Sequence, residues 1–238
     1  MGCKMERLDK VIAFTTNYSR KDVKNLIKKK SITINNELAK KSDLKINPDI
    51  DRIAIDGVEL TIKKYVYLIL NKPKGYVSAT KDNLIPTVLE LVPKEYTHRN
   101  LFPAGRLDKD TTGLMIITDD GEFAHNILAP KKHISKTYEV TIDIPMTKDM
   151  ITGFTEGVPL NDGICKPANL EIISEHTGIV TLSEGRYHQI KRMFGVYKGK
   201  VLELKRIKMG ELSLPTNLKE GECRELTQEE LNKITKKS

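Results

Sequence analysis

The order of the apolar segments from residue 65 onward restricts the fold of this chain more than any other pattern. Strand-type runs fall at 65–70, 114–118, 136–143, 179–183 and 201–206; helix-type runs fall at 121–128, 148–156, 189–194 and 227–234. A doubly wound parallel sheet needs strands and helices that alternate strictly. These do not, so the expected class is α+β, with a mainly antiparallel mixed sheet flanked by helices. Pro73 and Gly75 stop the first strand and force a turn. Ala129-Pro130 ends the first helix, Gly195 closes the third, and Thr227 with Glu230 forms a capping box for the last.

The first 62 residues read as a separate small α/β module, with Lys63-Lys64 as linker and 63–238 as the larger domain. Leu8, Val11 and Ile12 have helical spacing. Ser19-Arg20-Lys21-Asp22 is a capping signal for a second helix, whose inward face is Val23, Leu26 and Ile27. Ile32/Ile34, Ile53/Ile55 and Val58/Leu60/Ile62 alternate as short strands, with Asp56-Gly57 as a tight hairpin turn. Residues 1–64 hold 15 Lys/Arg against 9 Asp/Glu, a net of +6; the remainder holds 25 against 23, a net of +2. A charge excess gathered in one small module is the footprint expected for a polyanion such as RNA or DNA. A solvated, solubilising face is the alternative.

Other classes are excluded or disfavoured. No apolar run reaches the roughly 18–20 residues of a membrane span, and Met1 to Lys10 lacks the apolar core of a secretory signal. A cytoplasmic protein without membrane attachment is expected. Met1-Gly2-Cys3 hints at lipidation, but Glu6 stands where the myristoylation pattern wants Ser or Thr. Cys3, Cys165 and Cys223 are too few and too scattered for a disulfide framework or a zinc site. His98, His125, His133, His176 and His188 are equally scattered, so no metal is expected. Phosphate-loop, dinucleotide-loop, zincin and nucleophile-elbow motifs are missing. These absences fit a reaction that needs no cofactor. Nothing suggests a dimer seam, so a monomer is expected.

Two dense segments remain. In Gly105-Arg106-Leu107-Asp108-x-x-Thr111-x-Gly113-Leu114, Asp108 sits in a loop that enters an apolar strand. It is either a loop aspartate capping the next turn or a carboxylate held at a sheet end for chemistry. Asp110 invites a paired-carboxylate reading, but two loop residues can as easily diverge, and it is read as structural or solvent-facing. Arg106 would point the same way as Asp108 if the segment is extended; a phosphate contact or a salt bridge would also suit it. The second segment is Glu184-Gly185-Arg186-Tyr187-His188-Gln189-Ile190-Lys191-Arg192. Between the two, Lys136-Thr137-Tyr138-Glu139-Val140 reads as a strand whose tyrosine faces inward.

Together these strings resemble the pseudouridine synthases, closest to the ribosomal small-subunit synthase A type, over about Met5 to Glu230. The resemblance implies that Asp108 is the catalytic residue, as nucleophile or as base at the sugar. It implies that Tyr138 stacks on a flipped base and that Lys191, with Arg192 as a less favoured substitute, pairs with Asp108. It implies that Arg106 fills the gap left by the flipped uridine. Arg186, Tyr187, His188 and Gln189 would shape the RNA site, Leu204 would pack beside the base or in the core, and Asn71-Lys72-Pro73-x-Gly75 would be a turn near the cleft. Residues 1–62 resemble the S4 RNA-binding domain, which implies that Arg20, Lys21, Lys24 and Lys28 grip folded RNA. The implied substrate is a uridine of 16S ribosomal RNA, free or in an assembling small-subunit particle. Large-subunit RNA, or an assembly factor without turnover, are the alternatives.

Overall fold

A computed structural model describes residues 5–129 and 134–235; Met1-Gly2-Cys3, Pro130 and His133 lie outside them. The chain packs as two units. The first comprises residues through Val66 together with Pro93–Asn100, and the second comprises Tyr67–Val92 and Leu101 onward.

In the first unit, β1 (Glu6–Arg7) leads into α1 (Leu8–Thr15), and α2 (Arg20–Lys28) follows. Ser19 caps α2 as its sequence demands: its hydroxyl accepts from the Asp22 N–H while Asp22 accepts from the Ser19 N–H. Strands β2 (Ile32–Ile34), β3 (Glu37–Leu38), β4 (Lys45–Ile46), β5 (Ile53–Ile55) and β6 (Val58–Glu59) complete the unit, with β3-β2-β5-β6 as one sheet and β1-β4 as a pair. Asp56 and Gly57 both take positive φ, which closes a two-residue hairpin. Leu8, Ile12, Val23, Ile32, Ile46 and Ile53 are the buried centre, while Arg20, Lys21, Lys24 and Lys28 stay exposed.

The second unit is built on one mixed sheet. Its strands are β7 (Tyr67–Lys72), β8 (Phe102–Pro103), β9 (Thr112–Thr118) and β10 (Lys136–Ile142). A small hairpin, β11 (Pro159–Leu160) and β12 (Gly163–Ile164), stands apart from the sheet. The sheet continues with β13 (Asn169–Ile172), β14 (Thr177–Leu182), β15 (Val201–Met209), β16 (Leu212–Ser213) and β17 (Cys223–Glu225). The order is β13-β14-β10-β15-β9-β7-β17, with β8 and β16 paired to β9 and β15. Every named pairing is antiparallel except β15 with β9, so the mainly antiparallel mixed sheet read from the element order is what forms.

Four helices flank it: α3 (Gly121–Leu128), α4 (Lys148–Glu156), α5 (Gln189–Val196) and α6 (Gln228–Thr235). Asp120 caps α3, and Thr227 with Glu230 caps α6. Gly195 does not end α5, contrary to the sequence reading. The left-handed residue that turns the chain is Lys198, and Gly199 N–H returns to the Phe194 carbonyl at 3.1 Å. One core, with Val140, Leu170, Val180 and Leu204, packs against α4 and α5 through Phe154 and Phe194; a second, with Ile69, Leu114 and Ile116, packs against α3 and α6 through Ile127 and Ile234. No helix among the described residues is long and apolar enough to cross a membrane.

The two cores meet where β9 runs beside β15. Gly113 pairs with Arg206 there at φ 98°, and a Cβ at 113 would collide with the Arg206 carbonyl oxygen and stand 2.9 Å from its nitrogen. Only glycine fits this approach. Gly113→Ala is expected to cost at least ~2 kcal/mol of stability. Gly221→Ala, equally positive in φ but facing open space, should cost about 1 kcal/mol. Thermal and urea unfolding of the two variants checks the difference; equal losses would place the constraint in φ alone.

Candidate active site

Asp108 lies in the loop before β9, its side chain 27% exposed. The turn after β7 holds that loop from below. Lys72 is fully buried and donates from Nζ to the carbonyls of Thr111 at 2.8 Å, Pro73 at 3.1 Å and Lys109 at 3.2 Å. Gly75 N–H reaches the Lys109 carbonyl at 2.9 Å, and the Ser78 hydroxyl both donates to the Leu107 carbonyl and accepts from the Leu107 N–H. Asn71 ties the same turn to the Leu218 carbonyl. Burial pulls the Lys72 ammonium down to about 8, against the nearby charges of Asp110 and Asp108. Asn71-Lys72-Pro73-x-Gly75 is therefore the cradle of the Asp108 loop, a role the sequence reading left at a turn near the cleft.

From the other side comes the first turn of α5. Lys191 Nζ stands 3.1 Å from Asp108 Oδ2, and His188 Nε2 stands 3.3 Å from Asp108 Oδ1. Lys191 also binds both oxygens of Asp110, at 2.6 and 2.8 Å. Burial works against the charge on Lys191, but its bonds to Asp110 and Asp108 outweigh it and hold the ammonium above the usual range. Burial also opposes the charge on Asp110, and Lys191 again outweighs it, so that carboxyl lies below its usual range. The two loop carboxylates thus converge on one lysine. Asp110 is largely solvent-facing, as read from sequence, but it is also a partner in the ion pair. His188 sits in the left-handed region at φ 47° and stacks on Tyr187 at 3.8 Å between ring centroids.

The remaining expected residues divide. Arg106 is exposed, and Tyr138 is half-buried on β10, packed against the first core. Leu204 is a buried member of that core. Gln189, expected to touch RNA, is 5% exposed; its amide donates to Glu184 and accepts from the Arg186 N–H, so it organises the loop before α5. Arg186 and Arg192, also expected on RNA, both grip the tip of the β11–β12 hairpin. Arg186 binds the carbonyls of Asp162 and Gly163, and Arg192 pairs with the Asp162 carboxylate. Arg192 is thus committed elsewhere, and Lys191 alone of the two meets Asp108. Neither the burial of Lys72 beneath the Asp108 loop nor the His188–Asp108 contact was anticipated; a lysine in a strand that is otherwise wholly apolar and amide was the available signal for Lys72. No cluster of His, Cys, Asp and Glu suited to a metal occurs among the described residues.

Comparison with known proteins bears on this arrangement. The family model described as RNA pseudouridylate synthase matches residues 66–195. An uncharacterized RNA pseudouridine synthase of Bacillus subtilis is 40% identical over 231 residues, covering 95% of this chain and 97% of the relative. The ribosomal small subunit pseudouridine synthase A of Escherichia coli K12 is 41% identical over 231 residues, covering 96% and 99%. A crystal structure of a pseudouridylate synthase superimposes with a TM-score of 0.69 at 40% identity, covering 96% of this chain and 99% of that one.

The cradle under Asp108 can be tested. Lys72→Met leaves three carbonyls without their donor, and it should lower kcat by about 10–100-fold with RNA affinity within about threefold. Single-turnover rates and filter binding measure the two; an unchanged kcat would show that the loop keeps its shape unaided.

Proposed function

The chain belongs to the RNA pseudouridylate synthase family, and from that footing we propose that it converts one uridine of small-subunit (16S) ribosomal RNA to pseudouridine, with Asp108 as the catalytic carboxylate. It is an enzyme of RNA modification, an isomerase that breaks the N1–C1′ bond, turns the uracil and joins C5 to C1′. The observation that carries the assignment of Asp108 is its position between Lys191 and His188, on a loop anchored by buried Lys72.

Asp108 acts at the sugar, as nucleophile or as base, and Lys191 holds it in place. Tyr138 supplies the stacking face for the flipped base, an interaction worth roughly 1–3 kcal/mol. Arg106, exposed two residues ahead of Asp108, enters the space the uridine vacates. The choice of small-subunit RNA rests on relatives that carry that name and on the string Glu184-Gly185-Arg186-Tyr187-His188-Gln189, which resembles that of the small-subunit synthases. The first unit is read as an S4-like docking module in which Arg20, Lys21, Lys24 and Lys28 meet RNA phosphates. The enzyme is read as a cytoplasmic monomer that meets its RNA before the subunit is complete.

Carbodiimide-mapped primer extension on unmodified 16S RNA should give a single new stop with the wild type and none with Asp108→Asn, whose RNA affinity should stay within about fivefold. A stop on large-subunit RNA alone would overturn the target, and a stop with the variant would overturn the role of Asp108. Lys191→Met should cut the rate more than it cuts binding. Replacing Lys21, Lys24 and Lys28 together by Gln should weaken RNA binding and flatten the slope of log K against log salt by about two; an unchanged slope would remove the docking role.

A further inference from the structure

Lys136 precedes Tyr138 by two residues on β10, so alternation puts both side chains on one face. Their partners on β14 are Leu182 and Val180, both members of the first core, which identifies that face. On the opposite edge Tyr138 pairs with Arg206 of β15, and Leu204, two residues before Arg206, belongs to the same core. Lys136 and Arg206 therefore flank Tyr138 on the side that α5 covers with Ile190, Met193 and Phe194. They are 8% and 3% exposed. Among the described residues no ion pair joins either to a carboxylate. Arg206 Nε donates to the Leu114 carbonyl at 2.7 Å, and its Nη2 is buried with no hydrogen-bond partner among the described residues. Arg206 is also the residue opposite Gly113, five positions after Asp108.

Two adjacent buried cations without a counter-ion lower stability. Burial, and then the charge of Arg206, pull Lys136 down to about 8. The site therefore holds uncompensated positive charge beside the stacking face, and an anion must arise there for it to be matched. We propose that Lys136 and Arg206 stabilise the uracil anion that exists between cleavage of the N1–C1′ bond and formation of the C5–C1′ bond. The proposal rests on the synthase reading.

The electron balance requires such a species. The bonding pair of N1–C1′ leaves with the base, and its charge spreads over N1, O2 and O4. Asp108 compensates at the sugar, by bonding to C1′ or by removing a neighbouring proton. C5 then donates a pair to C1′, C5 loses its proton and N1 gains one, so substrate and product are both neutral bases. Fixed charges that meet an anion only between the two bond changes favour the transition states over either end. They also keep the detached ring from escaping. An RNA phosphate is the other anion at hand, but it would have to reach groups that lie beneath the surface, whereas a field acts across a desolvated gap.

The test compares leaving groups. RNA fragments spanning the mapped target are prepared with uridine and with 5-fluorouridine, whose fluorine acidifies the base and makes its anion easier to form. Single-turnover cleavage of the N1–C1′ bond and RNA affinity are measured for the full-length wild type, Lys136→Met, Lys136→Gln and Lys136→Arg. With uridine the two neutral variants should lose about 100-fold, and with 5-fluorouridine at most about 10-fold, while Kd stays within about threefold. Lys136→Arg should restore most of the rate, and the neutral variants should release some free uracil. Equal losses with both bases would make Lys136 structural and overturn the proposal, as would unchanged rates. Weaker RNA binding with a shallower salt slope would assign the cations to a phosphate instead. Wild-type turnover in the same assay separates these failures from failure of the synthase reading, and Lys136→Gln keeps the comparison open should Lys136→Met not fold.

Discussion

β9 and β15 touch backbone to backbone at Gly113 and Arg206, and the rest of the catalytic unit is arranged around that contact. On one side of it stands the core that carries β9, its Asp108 loop and helices α3 and α6. On the other stands the core that carries β10, α4 and α5, and with α5 comes Lys191. The 3.1 Å approach of Lys191 to Asp108 is thus a contact between two separately packed halves. A side chain at position 113 would push the strands apart, and a displacement of about 1 Å is enough to spoil such a geometry.

Three lysines near this seam meet three different environments, and the differences explain their separate uses. Lys72 is buried among carbonyls, which take up its donors without cancelling its charge, so it shapes a loop. Lys191 is partly open and shared by two carboxylates, so it orients side chains. Lys136 makes no hydrogen bond or ion pair to a carbonyl or carboxylate through its ammonium among the described residues, and keeps its charge at a cost. Burial of a charge is costly unless it is paired; of the three, Lys191 is the most compensated and Lys136 the least.

Much of this was legible in the chain. Helices α3 and α4 were bounded correctly because each has a side-chain cap at its start and a clear stop at its end, and α2 and α6 announced themselves through Ser19–Asp22 and Thr227–Glu230. The long strands β9, β10 and β15 are apolar or alternating enough to be seen. Two-residue strands such as β11, β12 and β16 are invisible in sequence, because their pairing is set by a turn or a neighbouring strand and not by their own composition. The candidate site was legible as a set of motif residues, and its contacts were not. Arg186 and Arg192 look like RNA ligands until the β11–β12 hairpin, whose Asp162 tip neutralises them, is in place. Lys72 looks like a surface residue until the loop that buries it has folded over. Both depend on partners distant in the chain, which no local pattern reports.

The sheet also dictates an order of events during synthesis. The first core draws its members from Tyr138 through Leu204, and it can close while the remainder of the chain is still within the ribosome. The second cannot: β7 keeps one edge bare until β17 arrives, and Leu114 and Ile116 wait for Ile234 of α6. Asp108 is mounted on that second core, which is complete only once Ile234 has packed. A chain still being made can present a folded α5 and its lysine before the core beneath the proposed carboxylate is complete.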